Sequence, residues 1–207
     1  MPLIKQQASE PITKEERIQQ RDCASLVKQL ENTDPMVRRW AGRDLADCQD
    51  ASAVLVSRLK REDDISVREI ILSSLMCLGD EVAVTGLIDC LRSEDTALRN
   101  ESIEVMKQLP DEVAPIMVNL LQDQDSDVRI FAVNILESLR HPDVEAWLID
   151  VIERDPHVNV CATALDLLVE VGSASSQQPL RNIKIRFTDE PYIQFAVDLA
   201  LKRISGE

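Results

Sequence analysis

Few residues in this chain could carry acid–base or nucleophilic chemistry. Its 207 residues include two histidines, His141 and His157, and five cysteines, Cys23, Cys48, Cys77, Cys90 and Cys161. Each histidine lies beside a proline, Pro142 or Pro156, at a predicted helix boundary, where capping suits it better than proton transfer. The cysteines are far apart, with no Cys-x-x-Cys pair and no cysteine–histidine cluster, so their spacing offers no zinc site. Most lie in apolar helical contexts, and the cysteines read as small core residues in a reducing compartment. No Gly-x-Ser-x-Gly elbow and no phosphate-cradling glycine loop occurs. What does recur is an aspartate followed four positions later by an arginine: Asp34 and Arg38, Asp64 and Arg68, Asp95 and Arg99, Asp125 and Arg129. A carboxylate at a helix start can accept orphan N–H bonds, and a half-buried guanidinium needs an anion. Both roles are structural before they are catalytic.

These pairs sit at fixed positions in a repeat. Taking Val128 as an anchor, the equivalent residues are Val37, Val67, Leu98, Val158 and Ile193, at spacings of 30, 31, 30, 30 and 35. Apolar or small residues follow four, eight and eleven positions later, which is one face of an α-helix. The acid three positions before the anchor suits an N-cap, and Pro35, Pro156 and Pro191 suit a first helical turn. Gly79 and Gly172 suit left-handed C-caps, while Pro110 and Pro142 forbid continuation. A second amphipathic stretch precedes each such helix, as in Leu87, Ile88 and Leu91. One period is therefore a helix pair, and such a pair buries both its sides only by stacking on its neighbours. Asp166 breaks the core face of the fifth copy. Either that helix is rotated, with Leu165 and Leu168 on the core and Asp166 at the edge, or a carboxylate is buried and bonded into a neighbouring turn.

The pattern Asp-x-x-Val-Arg-x-x-Ala-x-x-x-Leu resembles HEAT repeats, in the short form found in phycobilin lyase subunits and many bacterial repeat proteins. The resemblance runs from about Arg21 to Ile204. It implies an all-α fold, a right-handed α-α superhelix (HEAT-like solenoid) of about six helix pairs. It also implies a ladder between neighbouring repeats built from Asp34, Arg38, Asp64, Arg68, Asp95, Arg99, Asp125 and Arg129. The ladder should weaken where Asn159 and Gln194 replace arginine. Residues 14–207 are expected to form one domain after a mobile tail, 1–13. A capping box at Thr13 and Glu16 should open a helix over 14–31. Iron-dependent hydroxylases built on such repeats use His-Glu pairs, which are absent here.

Composition narrows the function further. An apolar content of 44% supports a core, whereas 5 Gly and 3% aromatic residues argue against sandwiches and glycine-rich nucleotide folds. No apolar run reaches the ~18 residues of a bilayer span, and Met1 to Gln7 lacks the ~7–15-residue apolar core of a signal peptide. A cytoplasmic location is expected. A net charge of −14 repels nucleic acid, including the cationic-groove chemistry of repeat-built DNA glycosylases, and repels acidic membranes.

Function, on this basis, belongs to the side of the second helices that faces away from the core, commonly the concave surface of such stacks. The expected partner-binding residues are Arg39, Arg43, Glu69, Asn100 and Glu104 in the polar half, with Asn134 further on, and Ile130, Val160, Leu167 and Phe195 as apolar anchors. Burial of these apolar positions between repeats is the competing expectation. The expected function is a non-catalytic scaffold or adaptor that binds another protein, with a regulatory role in a larger assembly. No cofactor, nucleic acid or membrane is implied, and the chain is a monomer or a weak homodimer. The alternative is a bilin-lyase-like, chromophore-handling protein, which would shift bilin absorbance.

Overall fold

The computed structural model describes residues 22–206; the expected tail, the Thr13–Glu16 box and the front of the 14–31 helix lie outside them. The described residues form α-helices and short 3-10 turns with no strand, and none of these helices is long and apolar enough to cross a membrane. The chain divides into two compact units, one ending at Ser74 and one beginning at Leu75.

The first unit holds α1 (Cys23–Gln29), α2 (Pro35–Asp44), α3 (Ser52–Leu59) and the start of α4 (Ile65–Leu78). Asp22 caps α1 by accepting the Ser25 N–H, and Asp34 caps α2 by accepting that of Met36. Leu26, Leu30, Leu45, Leu55, Leu59 and Ile71 fill the core. Gly42 lets α2 approach α4: a Cβ there would lie 3.1 Å from Cγ2 of Ile70. Ser74 Oγ donates to the Gly42 carbonyl across the same contact, at 2.9 Å. Cys23 and Cys48 form a disulfide with Cα atoms 5.9 Å apart. This corrects the expectation of five reduced core thiols: two cysteines remote in sequence are brought together by the α1–α2 hairpin.

The second unit continues the pairing. It contains α5 (Glu81–Cys90) with α6 (Thr96–Met106), then α7 (Pro110–Val113) and α8 (Met117–Leu121) with α9 (Ser126–Leu136). Next come α10 (Val144–Arg154) with α11 (Val158–Val171), and α12 (Gln177–Arg186) with α13 (Pro191–Ser205). Within this unit α6, α9, α11 and α13 pack each on the next, and α10 packs on α12. Pro115 lies in the 3-10 turn that separates α7 from α8, where its missing N–H interrupts the helical ladder.

The fifth copy sits two residues later than its sequence pattern suggests. In the other copies the helix begins two residues before the anchor, as Pro35 does before Val37 and Ser126 before Val128. Helix α11 begins at Val158 with His157 as N-cap, which makes Val160 the anchor. Val160, Ala164 and Leu168 are fully buried, as anchor, +4 and +8 residues should be, whereas Val158 is only half-buried. The anchors are then Val37, Val67, Leu98, Val128, Val160 and Ile193, at spacings of 30, 31, 30, 32 and 33. Asp166 becomes an outward +6 residue and is exposed. The rotated-helix reading of that residue therefore holds, with Leu165 and Leu168 on the core.

Gly79 takes φ +55° and caps α4 in the left-handed region, where glycine carries no Cβ penalty. Gly172 does not: it is extended, with φ −65° and ψ 141°. Its role is close approach, since a Cβ would fall 2.5 Å from the Leu168 carbonyl oxygen and 3.1 Å from Ile204. The Ser/Gln stretch that follows is fastened. Glu145 Oε1 accepts the Ser173 N–H and the hydroxyl of buried Ser176, each at 2.7 Å.

Candidate functional site

Two sets of polar residues have to be separated, those that hold the repeats together and those that face solvent. The conserved geometry of the first set is local to each turn. The residue five before the anchor accepts, on its side-chain oxygen, the N–H two residues later; this occurs at Asn32, Glu62, Ser93, Asp123 and Asp155. The residue after the anchor returns to the carbonyl of that same position. Arg38, Arg68, Arg99 and Arg129 donate to the carbonyls of Asn32, Glu62, Ser93 and Asp123. In the fifth copy the equivalent residue is Cys161, whose thiol contacts the Asp155 carbonyl at 3.3 Å.

The ladder expected between Asp34, Asp64, Asp95, Asp125 and the arginines takes a different form. Those aspartates cap their own helices, because a carboxylate three residues before the anchor points at the first-turn N–H groups. The acid that receives an arginine lies two residues earlier, in the following repeat. Arg38 grips Glu62 with Nε–Oε2 2.8 Å and Nη2–Oε1 2.7 Å. Arg129 grips Asp155 with Nε–Oδ2 2.6 Å and Nη2–Oδ1 3.1 Å. Burial would raise the carboxyl of Glu62, but Arg38, the Asp64 N–H and Arg58 outweigh it and hold it at about 2. Asp123 is taken instead by Arg92. A cleft of about 460 Å³ opens beside Arg129 and Asp155. Its charges are matched within the chain by the Arg129–Asp155 and Arg154–Asp150 pairs.

The solvent-facing set lies on the second helix of each pair. Arg39, Arg43 and Glu69 are exposed in the first unit, and Arg43 is held by Asp44 and by the Trp40 ring, 4.6 Å from its centroid. In the second unit Asn100 and Glu104 are exposed, and Ile130 and Asn134 are half-buried. Val160 and Leu167 are corrections: they are 0% and 9% exposed, because the two-residue register shift turns both onto the core. Phe195 is 64% exposed, with Leu199, the outward residue one turn on, at 44%, and the structure adds Tyr192, at 50%, on the same face of α13. Sequence inspection missed Tyr192, although its spacing of three residues from Phe195 was the available signal.

Beside this strip runs a groove of about 240 Å³ between α9 and α11, lined by Asn134, Glu137, Thr163, Asp166, Leu167 and Glu170. The Tyr192 hydroxyl donates to the Asp166 carboxylate, which raises the phenol above its ordinary value. Lys107 bridges Glu104 and Glu137, at 3.1 Å from each. Burial works against its charge, yet the two carboxylates hold it above the ordinary lysine value. No group of three His, Cys, Asp or Glu residues placed to hold a metal occurs among the described residues. His141 accepts the Asp143 N–H at 3.2 Å and stacks on Trp147, with centroids 4.8 Å apart. His157 stands at an N-cap, and its N–H donates to Asp155.

A family model described as HEAT repeats matches residues 23–107 and 110–206. No curated protein sequence matches the chain. A HEAT-like repeat protein of the archaeon Thermococcus onnurineus is 15% identical, covering 96% of this chain and 99% of its own, with a TM-score of 0.48. The CpcE–CpcF complex of phycocyanin lyase from a Nostoc species is 16% identical over 97% of this chain and 98% of that one, with a TM-score of 0.40. Human deoxyhypusine hydroxylase is 14% identical over 93% and 90%, with a TM-score of 0.45.

Proposed function

Because the chain belongs to the HEAT-repeat family, we propose that it is a non-catalytic scaffold that docks a partner protein on the outward face of its second helices. The observation that carries this reading is the strip Tyr192, Phe195 and Leu199. Two aromatic rings and a leucine lie one turn apart on α13, and all three are exposed. Aromatic anchors on a rigid element are the residues that dominate binding energy at interfaces. A preformed helical face also avoids much of the ordering cost of association. The surrounding ion pairs support the same reading, since they fix the helices rather than a reacting group.

A cytoplasmic location belongs to this reading. The Cys23–Cys48 bridge is the feature that opposes it, since disulfides are rare in a reducing cytosol. The redox state of that pair in cells decides the matter.

The test compares the wild-type chain with Phe195→Asp/Leu199→Asp as baits. A protein retained only by the wild type is then expressed and titrated calorimetrically against both. Loss of binding with unchanged circular dichroism supports the scaffold. A partner that binds both baits equally removes this face from consideration.

A further inference from the structure

The apolar strip and the acidic groove are one continuous surface. Asp166 lines the groove and also accepts the Tyr192 hydroxyl, which begins the strip. Phe195 and Leu199 follow Tyr192 by three and seven residues along α13, so the strip runs for about 10 Å at the helical rise. The groove end carries Glu137, Asp166 and Glu170. Lys107 offsets part of this charge through Glu137, while no cation among the described residues pairs with Asp166 or Glu170.

Resting on the scaffold reading above, we propose the chemistry of the partner. It presents a short segment with an arginine or lysine that enters the Glu137–Asp166–Glu170 groove, followed by apolar side chains that cover Tyr192, Phe195 and Leu199. Charge complementarity selects this occupant. A guanidinium in a groove of carboxylates makes charge-assisted, bidentate hydrogen bonds, and the adjacent strip buries the apolar residues that follow. A second copy is a poor fit, because a two-fold contact sets this patch against itself and the strip of Tyr192, Phe195 and Leu199 offers the opposite groove no cation. Phosphate backbones are repelled by the same charge.

The test uses two fluorescein-labelled peptides with the same apolar pattern, one carrying paired arginines and the other paired glutamates at the same positions. Each is titrated against the full chain by anisotropy at low and raised salt. The arginine peptide should bind at least about tenfold more tightly than the glutamate peptide and weaken with salt. Asp166→Asn/Glu170→Gln should weaken it about tenfold and flatten the salt dependence. Phe195→Asp/Leu199→Asp should abolish binding, with circular dichroism unchanged in both variants. Equal binding of the two peptides, no binding of the arginine peptide, or indifference to the groove variant overturns the cationic segment. Those outcomes leave the scaffold reading to its own captured-partner test. A concentration-dependent dimer dissolved by Phe195→Asp would assign the strip to a second copy and overturn the proposal.

Discussion

Arg186 supplies to the fifth repeat the guanidinium that Cys161 cannot. Its Nη2 donates to the Asp155 carbonyl at 2.9 Å and lies 3.1 Å from Cys161 Sγ, while Nη1 reaches the Glu153 carbonyl at 2.6 Å. In the four earlier copies the same carbonyl position is served by the repeat's own arginine. Here it is served from the end of α12, in the next repeat. Arg186→Ala should therefore cost about 1.5–3 kcal/mol, the value of hydrogen bonds to a charged donor. Adding Cys161→Arg to that variant should recover part of the loss. Urea melts of the single and double variants check this, and an absence of recovery would show that the two residues do not share a role.

Glu62 makes the first unit sensitive to acid. Its folded carboxyl lies near 2, below the ordinary 4.5, so the fold favours the ionised form. The stability it contributes is complete above about pH 4.5 and is lost as pH falls towards 2. Glu62→Gln should lower stability at neutral pH by about 3–5 kcal/mol, because Arg38 loses its buried anion. It should also flatten the acid-side decline. A wild-type decline that persists unchanged in the variant would place the titration elsewhere.

The register of α11 separates core from surface. Val160→Asp buries an unpaired carboxylate at a fully buried position and should unfold the second unit or cost more than about 4 kcal/mol. Phe195→Asp, on the exposed face, should stay within about 0.5 kcal/mol of wild type. Thermal melts of the two variants give the answer, and a stable Val160→Asp chain would restore the sequence-based register.

Cys23 and Cys48 close a loop with a sequence separation of 25. Loop closure of this length is worth about 2–4 kcal/mol. Cys23→Ser/Cys48→Ser, or reduction of the wild type, should lower the urea midpoint and speed amide exchange in α1. An unchanged midpoint would mean that α1 is held by Leu26 and Leu30 packing alone.

The remaining thiols should differ in reactivity. Burial pushes the Cys161 thiol up to about 11, and only the thiolate reacts. Cys77 is exposed, so a maleimide at mildly alkaline pH should label Cys77 first and Cys161 only after unfolding. Mass spectrometry of the digested adducts reads the order.

Much of this architecture is written locally. Asp34, Asp95 and Asp125 cap helices because their carboxylates meet N–H groups two or three residues away. Apolar residues at helical spacing bury one face whatever the neighbour is, so the helix pairs are legible in one dimension. Register in the fifth repeat is not. Val158 and Val160 are both plausible anchors, and only packing against α9, α10 and α13 selects the second. That choice moves Val160 and Leu167 into the core, turns Asp166 outward and sets Cys161 where an arginine would be. The acceptor of Arg38 follows the same rule: Glu62 was chosen over the nearby Asp64 by the spacing between stacked helices. Hydrogen bonds within a turn are fixed by sequence, whereas pairing across repeats, the Cys23–Cys48 bridge and the Tyr192–Asp166 surface exist only once the helices are packed.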